Sequence, residues 1–217
     1  MAYRVGAVAD WQTISSLATA GGTLVLAAAT FSAVRSSNRS ARLAERALLA
    51  GMRPLLVPSL SDAPDQKVIW RDQHVARVGG GRALAEHDGG VIYLAISLRN
   101  VGAGLALLHG WYPRAHFALS DVEHADIDAF RRLTVDLYVA PSGAGYWESA
   151  LRDENDPLHG EFVRVLADRE PFTIELLYGD QDGGQRTISR CLVLPAGDGG
   201  WYSQIARHWN IDRPDPR

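Results

Sequence analysis

Lysine and cysteine are almost missing from this chain: Lys67 is the only lysine and Cys191 the only cysteine in 217 residues. A single cysteine excludes an intrachain disulfide framework and fits a reducing compartment. Arginine carries nearly all the positive charge, a usage that goes with abundant Ala and Gly in a GC-rich bacterial genome. The net charge of -3 leaves no basic excess for general nucleic-acid binding, so no nucleic-acid partner is expected. There is no P-loop, dinucleotide glycine fingerprint, H-E-x-x-H or paired-cysteine motif. The seven histidines, at 74, 87, 109, 116, 124, 159 and 208, have no ligand spacing. No metal, cofactor or catalytic residue is expected from them.

Charge is missing locally as well. Trp11 to Val34 contains no Asp, Glu, Lys, Arg or His and exceeds the roughly 20 apolar residues that a bilayer-spanning helix needs. Asp10 is placed to cap a helix starting at Trp11, and Trp11 suits a membrane interface. Ser15, Ser16, Thr19, Gly21, Gly22, Thr23 and Thr30 dilute the run, so insertion of this segment alone is marginal. Two other readings compete with a span. A signal peptide would use Met1 to Arg4 as its n-region and Ala27-Ala28-Ala29 as its cleavage site, but the uncharged run continues to a stop-transfer-like arginine cluster. A buried soluble helix is the other.

Residues 35–52 read as a basic helix continuing from the span, stopped by Gly51 and Pro54, with Ser36-Ser37-Asn38 as the expected break. Arg35, Arg39, Arg42 and Arg46 fall on one stripe. Arg35 and Arg39 are close enough to a bilayer for lipid-headgroup contact, whereas Arg42 and Arg46 read as an ordinary solvated face. Counting arginines near the span ends puts Arg4 against Arg35, Arg39, Arg42, Arg46 and Arg53, which predicts an outside N-terminus and a cytoplasmic domain. Ala20, Thr23, Ala27 and Thr30 begin a seam of small residues, spaced by three and four, that suits a homodimer through the helix. The organisation is therefore an N-terminal segment (1–10), a transmembrane helix (11–34), a basic juxtamembrane helix (35–52), a β-domain (53–211) and a polar tail (212–217).

From Pro54 onward, short β-type runs alternate with turn residues. Strands are expected at Pro54 to Leu60, Val91 to Asn100, Leu105 to Pro113, Val135 to Ala140, Phe172 to Tyr178, Gln185 to Leu194 and Trp201 to Trp209. Lys67 to Trp70 and His74 to Val78 form a hairpin around Arg71-Asp72-Gln73. In Val91 to Asn100, Ile92, Leu94, Ile96 and Leu98 give one strongly apolar face. Asp121 to Leu133 is read as a short helix with Ile127, Phe130 and Leu133 inward. A second helix starts at the Asp156-Pro157 cap pair, with Leu158, Phe162, Val165 and Leu166 inward. Strands joined by turns, with helices only as insertions, predict a mainly β, antiparallel two-sheet sandwich.

Asn100-Val101-Gly102-Ala103-Gly104-Leu105-Ala106 is the most distinctive stretch. Asn100 can bond neighbouring backbone, and Gly102 and Gly104 permit positive φ or a bulge. This resembles the N-x-G-x-G-x-A element of bacterial immunoglobulin-like sandwich domains. Together with one N-terminal span, an Arg-rich helix and an Arg-Pro strand start, it resembles a group of uncharacterised bacterial single-pass membrane proteins. The resemblance implies a fold and no activity.

Asp180-Gln181-Asp182-Gly183 begins like a calcium loop but lacks its later ligands, and Asp-Gly between apolar strands reads as a hairpin. Gly143 to Glu148 reads as a loop whose Tyr146 and Trp147 are possible partner contacts, against a buried Trp147 covering the sandwich end. Trp111, Trp201 and Trp209 are core candidates. Cys191 lies in an apolar strand, where a thiol is inert. The expectation is a non-enzymatic single-pass membrane protein whose cytosolic sandwich binds a protein partner or serves as an accessory subunit. The alternative is a membrane-anchored ligand sensor or enzyme with a pocket near Tyr146, Trp147, Arg131 and Asp153.

Overall fold

The structure, a computed structural model, describes residues 8–213. Its contacts divide the chain into two units between Ala50 and Gly51. The signal-type n-region at Met1 to Arg4 and tail residues 214–217 lie outside the described residues.

The first unit holds one helix, α1 (Val8–Gly51), of 44 residues, about 66 Å long at 1.5 Å per residue. It starts before Asp10, which is therefore inside the helix and not its N-cap. It also passes through Ser36-Ser37-Asn38 unbroken. Three weak formers flanked by Ala, Leu and Arg do not stop a helix that is already propagating. Every residue from Trp11 to Leu48 is exposed, which removes the buried-helix reading. A window of this stretch has mean hydropathy 1.6, so the helix is long and apolar enough to cross a membrane.

Its hydroxyls do not count against that. Ser15, Ser16, Thr19, Thr23, Thr30 and Ser32 each donate to a carbonyl three or four residues back, at 2.8–3.0 Å. A hydroxyl satisfied inside its own helix costs far less in an apolar medium than a free one.

The second unit is the expected mainly β domain. Its strands are β1 (Leu56–Pro58), β2 (Gln66–Ile69), β3 (Val75–Val78), β4 (Arg82–Asp88), β5 (Val91–Asn100), β6 (Ala106–Arg114), β7 (Arg131–Val139), β8 (Ala144–Leu151), β9 (Phe172–Gly179), β10 (Thr187–Pro195) and β11 (Trp201–Asn210). Nine of them form one antiparallel sheet. β5 pairs with β8 on one side and with β4 and β1 in succession on the other. β4 joins β11 through only Ala83–Trp201 and Arg82–Tyr202, and β10, β9, β6 and β7 follow. The sheet curls like a sandwich at that narrow seam, and β7 returns against β8, where Val139 packs over Gly145.

The fold's core lies between the halves. Leu94, Ile96 and Leu98 meet Trp111, Trp147, Ile174, Leu176 and Val193 there. α2 (Pro157–Ala167) plugs one end. Its N-cap Asp156 accepts from Leu158 N at 3.0 Å. Phe162 continues into an edge-to-face ladder with Phe172 and Trp201, at centroid distances of 5.2 and 5.4 Å.

Both outer faces of the curled sheet are covered too. The hairpin β2–β3 lays Val68, Trp70 and Val78 over Tyr93 and Ala95. On the other half, Ile127 and Phe130 close over Leu177, Ile188 and Trp209. β5 is therefore buried on both faces, where the alternation predicted one apolar face.

Three other expectations change. The helix expected over Asp121 to Leu133 is only a 3₁₀ turn at Ile127–Ala129, followed directly by β7. The carbonyls of Ala118, Asp121 and Glu123 are drawn down onto the Arg190 guanidinium and are not free to start a helical ladder. Gly143 to Glu148 runs into a strand and is not a loop. Arg82 to Asp88 is a strand that the sequence did not suggest, ended by Gly89 and Gly90, both at positive φ, as a two-residue hairpin turn requires.

The N-x-G-x-G element is a seat for the chain entering from α1. Asn100 Oδ1 accepts from Leu55 N and Gly102 N, and its Nδ2 donates to the carbonyls of Gly104 and Val139. Neither glycine has positive φ. A Cβ on Gly102 would overlap the Arg53 carbonyl oxygen, and one on Gly104 that of Met52. Close backbone approach is the reason for both glycines.

Candidate functional site beneath the β2–β3 hairpin

The residues expected from sequence are scattered. Arg35, Arg39, Ala20, Thr23, Ala27 and Thr30 are all exposed along α1. Tyr146 and Trp147 are neighbours on β8 and point to opposite faces. Tyr146 packs half-buried at the margin of the hairpin cluster. Trp147 is fully buried, with its ring centroid 5.4 Å from that of Trp111, so its side chain belongs to the core and not to the surface. Arg131 pairs with Asp156. A pocket combining Tyr146 and Trp147 is excluded by strand geometry. Asp180 Oδ1 accepts from Asp182 N and Gly184 N within the β9–β10 turn, which makes that segment a hairpin. Burial pushes the Cys191 thiol up to about 12, which keeps it unreactive.

A different set of groups does converge, at the turn of the β2–β3 hairpin. The His74 ring stacks on Tyr93, with centroids 3.8 Å apart and planes within 8°. Trp70 meets Tyr93 edge-on at 5.3 Å, and its indole N–H donates to the Ser149 carbonyl at 3.0 Å. His74 Nε2 bonds the Glu86 carboxylate, and Asp88 lies 4.0 Å from Nδ1. Asp72 accepts from Tyr93 OH at 2.9 Å, from Arg152 Nη2 at 3.1 Å and from the His74 amide at 3.3 Å. The hairpin is thus docked by an apolar patch and locked at its turn by a hydrogen-bonded ring of charged groups.

The register explains the convergence. Glu86 lies opposite Tyr93, Tyr93 opposite Ala150, and Ala95 opposite Glu148. These side chains form two rows across β4, β5 and β8, directly under the hairpin. Partial burial works to raise Asp72, but hydrogen bonds from Tyr93, the His74 amide and Arg152 hold it below the usual carboxylate range. Tyr93 moves up, through burial first and then through its bond to Asp72.

Glu148 differs from the rest. It is only 7 % exposed, and burial pushes its carboxyl up to about 6; Asp72 adds to the rise and Arg152 opposes it. Among the described residues, no group of three or more His, Cys, Asp or Glu side chains is arranged to hold a metal ion.

No protein-family model and no curated protein matches the chain. One solved structure that matches is described as a crystal structure of a protein from Archaeoglobus fulgidus. It is 14% identical, the match covers 61% of this chain and 96% of that one, and the TM-score is 0.24. A superposition that loose carries no argument about fold or function.

Sequence reading missed this cluster because its members span positions 72–152 and meet only through strand pairing. No local signal pointed to it: Asp72 falls in the expected turn, and Arg82 to Asp88, which carries Glu86 and Asp88, did not read as a strand.

Proposed function

We propose that this is a single-pass protein of the bacterial cell membrane, with its N-terminus outside and its β-domain in the cytoplasm. In this reading the domain binds a protein partner or serves as an accessory subunit and carries no catalytic activity. Arg35 and Arg39 contact lipid headgroups, and two copies associate through Ala20, Thr23, Ala27 and Thr30.

The observation that carries the proposal is α1. Twenty-four uncharged residues with internally bonded hydroxyls are followed, without interruption, by a helical stripe of four arginines. That order of features suits a span with its basic end on the cytoplasmic side. Extraction in mild detergent at native expression, followed by identification of co-purifying proteins, tests it. A stoichiometric partner is expected. Recovery of the chain alone, or recovery in the soluble fraction without detergent, would overturn it.

One observation favours a ligand sensor or enzyme: an open groove of about 440 Å³ lined by Arg77, Arg82, Glu86 and Trp201. Thermal shift against a metabolite and metal panel tests that alternative. Stabilisation by one ligand class, lost in Glu86→Gln, would establish it.

A further inference from the structure

We infer that the outward face of the β2–β3 hairpin docks an acidic, extended segment of the partner protein, seated on Ile69 and Val75 and held by Lys67, Arg71 and Arg77. The inference rests on the partner-binding reading of the domain and names the surface that does it.

Val68 and Val78 point inward, so Lys67, Ile69, Val75 and Arg77 point out. The register sets Ile69 directly opposite Val75 and Lys67 directly opposite Arg77. Ile69 and Val75 are each 52 % exposed, making one apolar step on a surface of charge. Lys67 and Arg77 are like charges at cross-strand positions, an arrangement that destabilises a hairpin. Neither they nor Arg71, at the turn, makes an ion pair among the described residues. Six other arginines of the domain are ion-paired: Arg82 with Asp198, Arg114 and Arg190 with Glu175, Arg131 with Asp156, Arg152 with Asp72 and Arg186 with Asp212. The three hairpin cations lie on an acidic domain: residues 51–217 carry 17 Lys and Arg against 23 Asp and Glu, a net charge of -6.

An anionic side chain placed between Lys67 and Arg77 turns their repulsion into two attractions, while an adjacent aliphatic residue covers Ile69 and Val75. An extended segment alternating acidic and apolar residues supplies both at strand spacing. Arg77 also lines a groove with Val78, Arg82, Leu84, Glu86 and Trp201. A protein segment is favoured over a lipid surface by spacing: the apolar step Ile69–Val75 and the cation pair Lys67–Arg77 repeat at strand register, which an extended chain matches residue for residue.

The test uses the full chain in nanodiscs of zwitterionic lipid and a fluorescein-labelled ten-residue peptide alternating Glu and Val. Saturable binding is expected, weakened by high salt, absent with the Lys–Val counterpart, and reduced at least about tenfold by Lys67→Glu with Arg77→Glu. Lys67→Glu alone makes the cross-strand pair attractive, so its melting temperature stays at or above the native value while binding falls. Unchanged affinity in the double variant, or no saturable binding of the Glu–Val peptide, would overturn the inference. So would shielding of a fluorophore at Val75→Cys when anionic lipid replaces zwitterionic lipid, because lipid is then the occupant. If native co-purification retains a partner on the double variant, this face is discarded while the partner reading stands. If no partner appears with the native chain, the partner reading itself fails.

Discussion

Glu175 and Arg190 sit opposite each other on β9 and β10, 0 % and 1 % exposed, and neither charge reaches water. Arg190 donates Nε and Nη2 to Glu175, and its remaining donors go to the carbonyls of Ala118, Asp121 and Glu123. Glu175 Oε2 accepts from Ala125 N at 2.8 Å. The pair pins the segment between β6 and β7 across the sheet. Glu175→Ala leaves a buried guanidinium without its counter-charge and is expected to cost about 3–5 kcal/mol in denaturant unfolding. Replacing both partners by Leu and Met should recover little, since three carbonyls then lose their donor.

The seat for the entering chain is equally sensitive. Asn100→Ala removes the acceptor of two amides and the donor to two carbonyls, and is expected to cost about 3 kcal/mol. Gly104→Ala should be comparable through overlap with the Met52 carbonyl. Hydrogen exchange at Leu55 and Leu56 is expected to rise in both variants while the β9–β10 ladder stays protected.

Glu148 gives the domain a pH dependence of defined sign. Its folded carboxyl titrates at about 6, above its ordinary 4.5. Stability from holding the proton is therefore full below pH 4.5 and lost as pH rises through 6. The shift corresponds to a loss on the order of 2 kcal/mol by pH 7. Glu148→Gln should flatten that part of the melting-temperature profile and be more stable than the native chain at pH 7.5. A parallel profile for the two proteins would refute the assignment.

Self-association through α1 is tested at Ala27. Ala27→Leu widens the narrow seam shared with Ala20, Thr23 and Thr30 and is expected to lower crosslinked dimer yield in membranes by several fold. An unchanged yield removes this seam from consideration.

Orientation is open to direct labelling. Because Cys191 is buried and unreactive, a cysteine introduced at the exposed Asp182 turn is the only site for a membrane-impermeant maleimide. Labelling is expected only after lysis of wall-stripped cells. Labelling of intact cells puts the domain outside.

Where a residue's fate depends on near neighbours, the sequence was readable. The Asp156–Pro157 cap, the Arg71–Gln73 turn, the Asp180 hairpin and the strand Val91 to Asn100 all form where local pattern and turn chemistry place them. Misreadings arose where a distant partner decides. Gly143 and Gly145 suggested a loop, but the free edge of β5 recruits Ala144 to Leu151 as a strand. Arg190 sits in a run of strand residues that gave no hint of its five hydrogen bonds, and those bonds displace the expected helix. The hairpin cluster was invisible for the same reason, since Asp72 meets Tyr93 and Arg152 only once the hairpin lies over the paired β5 and β8.

Covering both outer faces of the sheet changes how the domain should tolerate substitution. An open sandwich strand accepts changes at every second position. Here a saturation scan along Val91 to Asn100, Phe172 to Gly179 or Thr187 to Val193 should show unbroken bands of intolerance, because these residues are enclosed from both sides. The two-residue rhythm should return at the start of β6, where Ala106 and Leu108 are more buried than Leu107 and His109, and at the start of β11, where Trp201 and Ser203 are buried while Tyr202 and Gln204 face solvent. In this chain, an alternating tolerance pattern marks the uncovered margin of the sheet, and a flat intolerant one marks its enclosed middle.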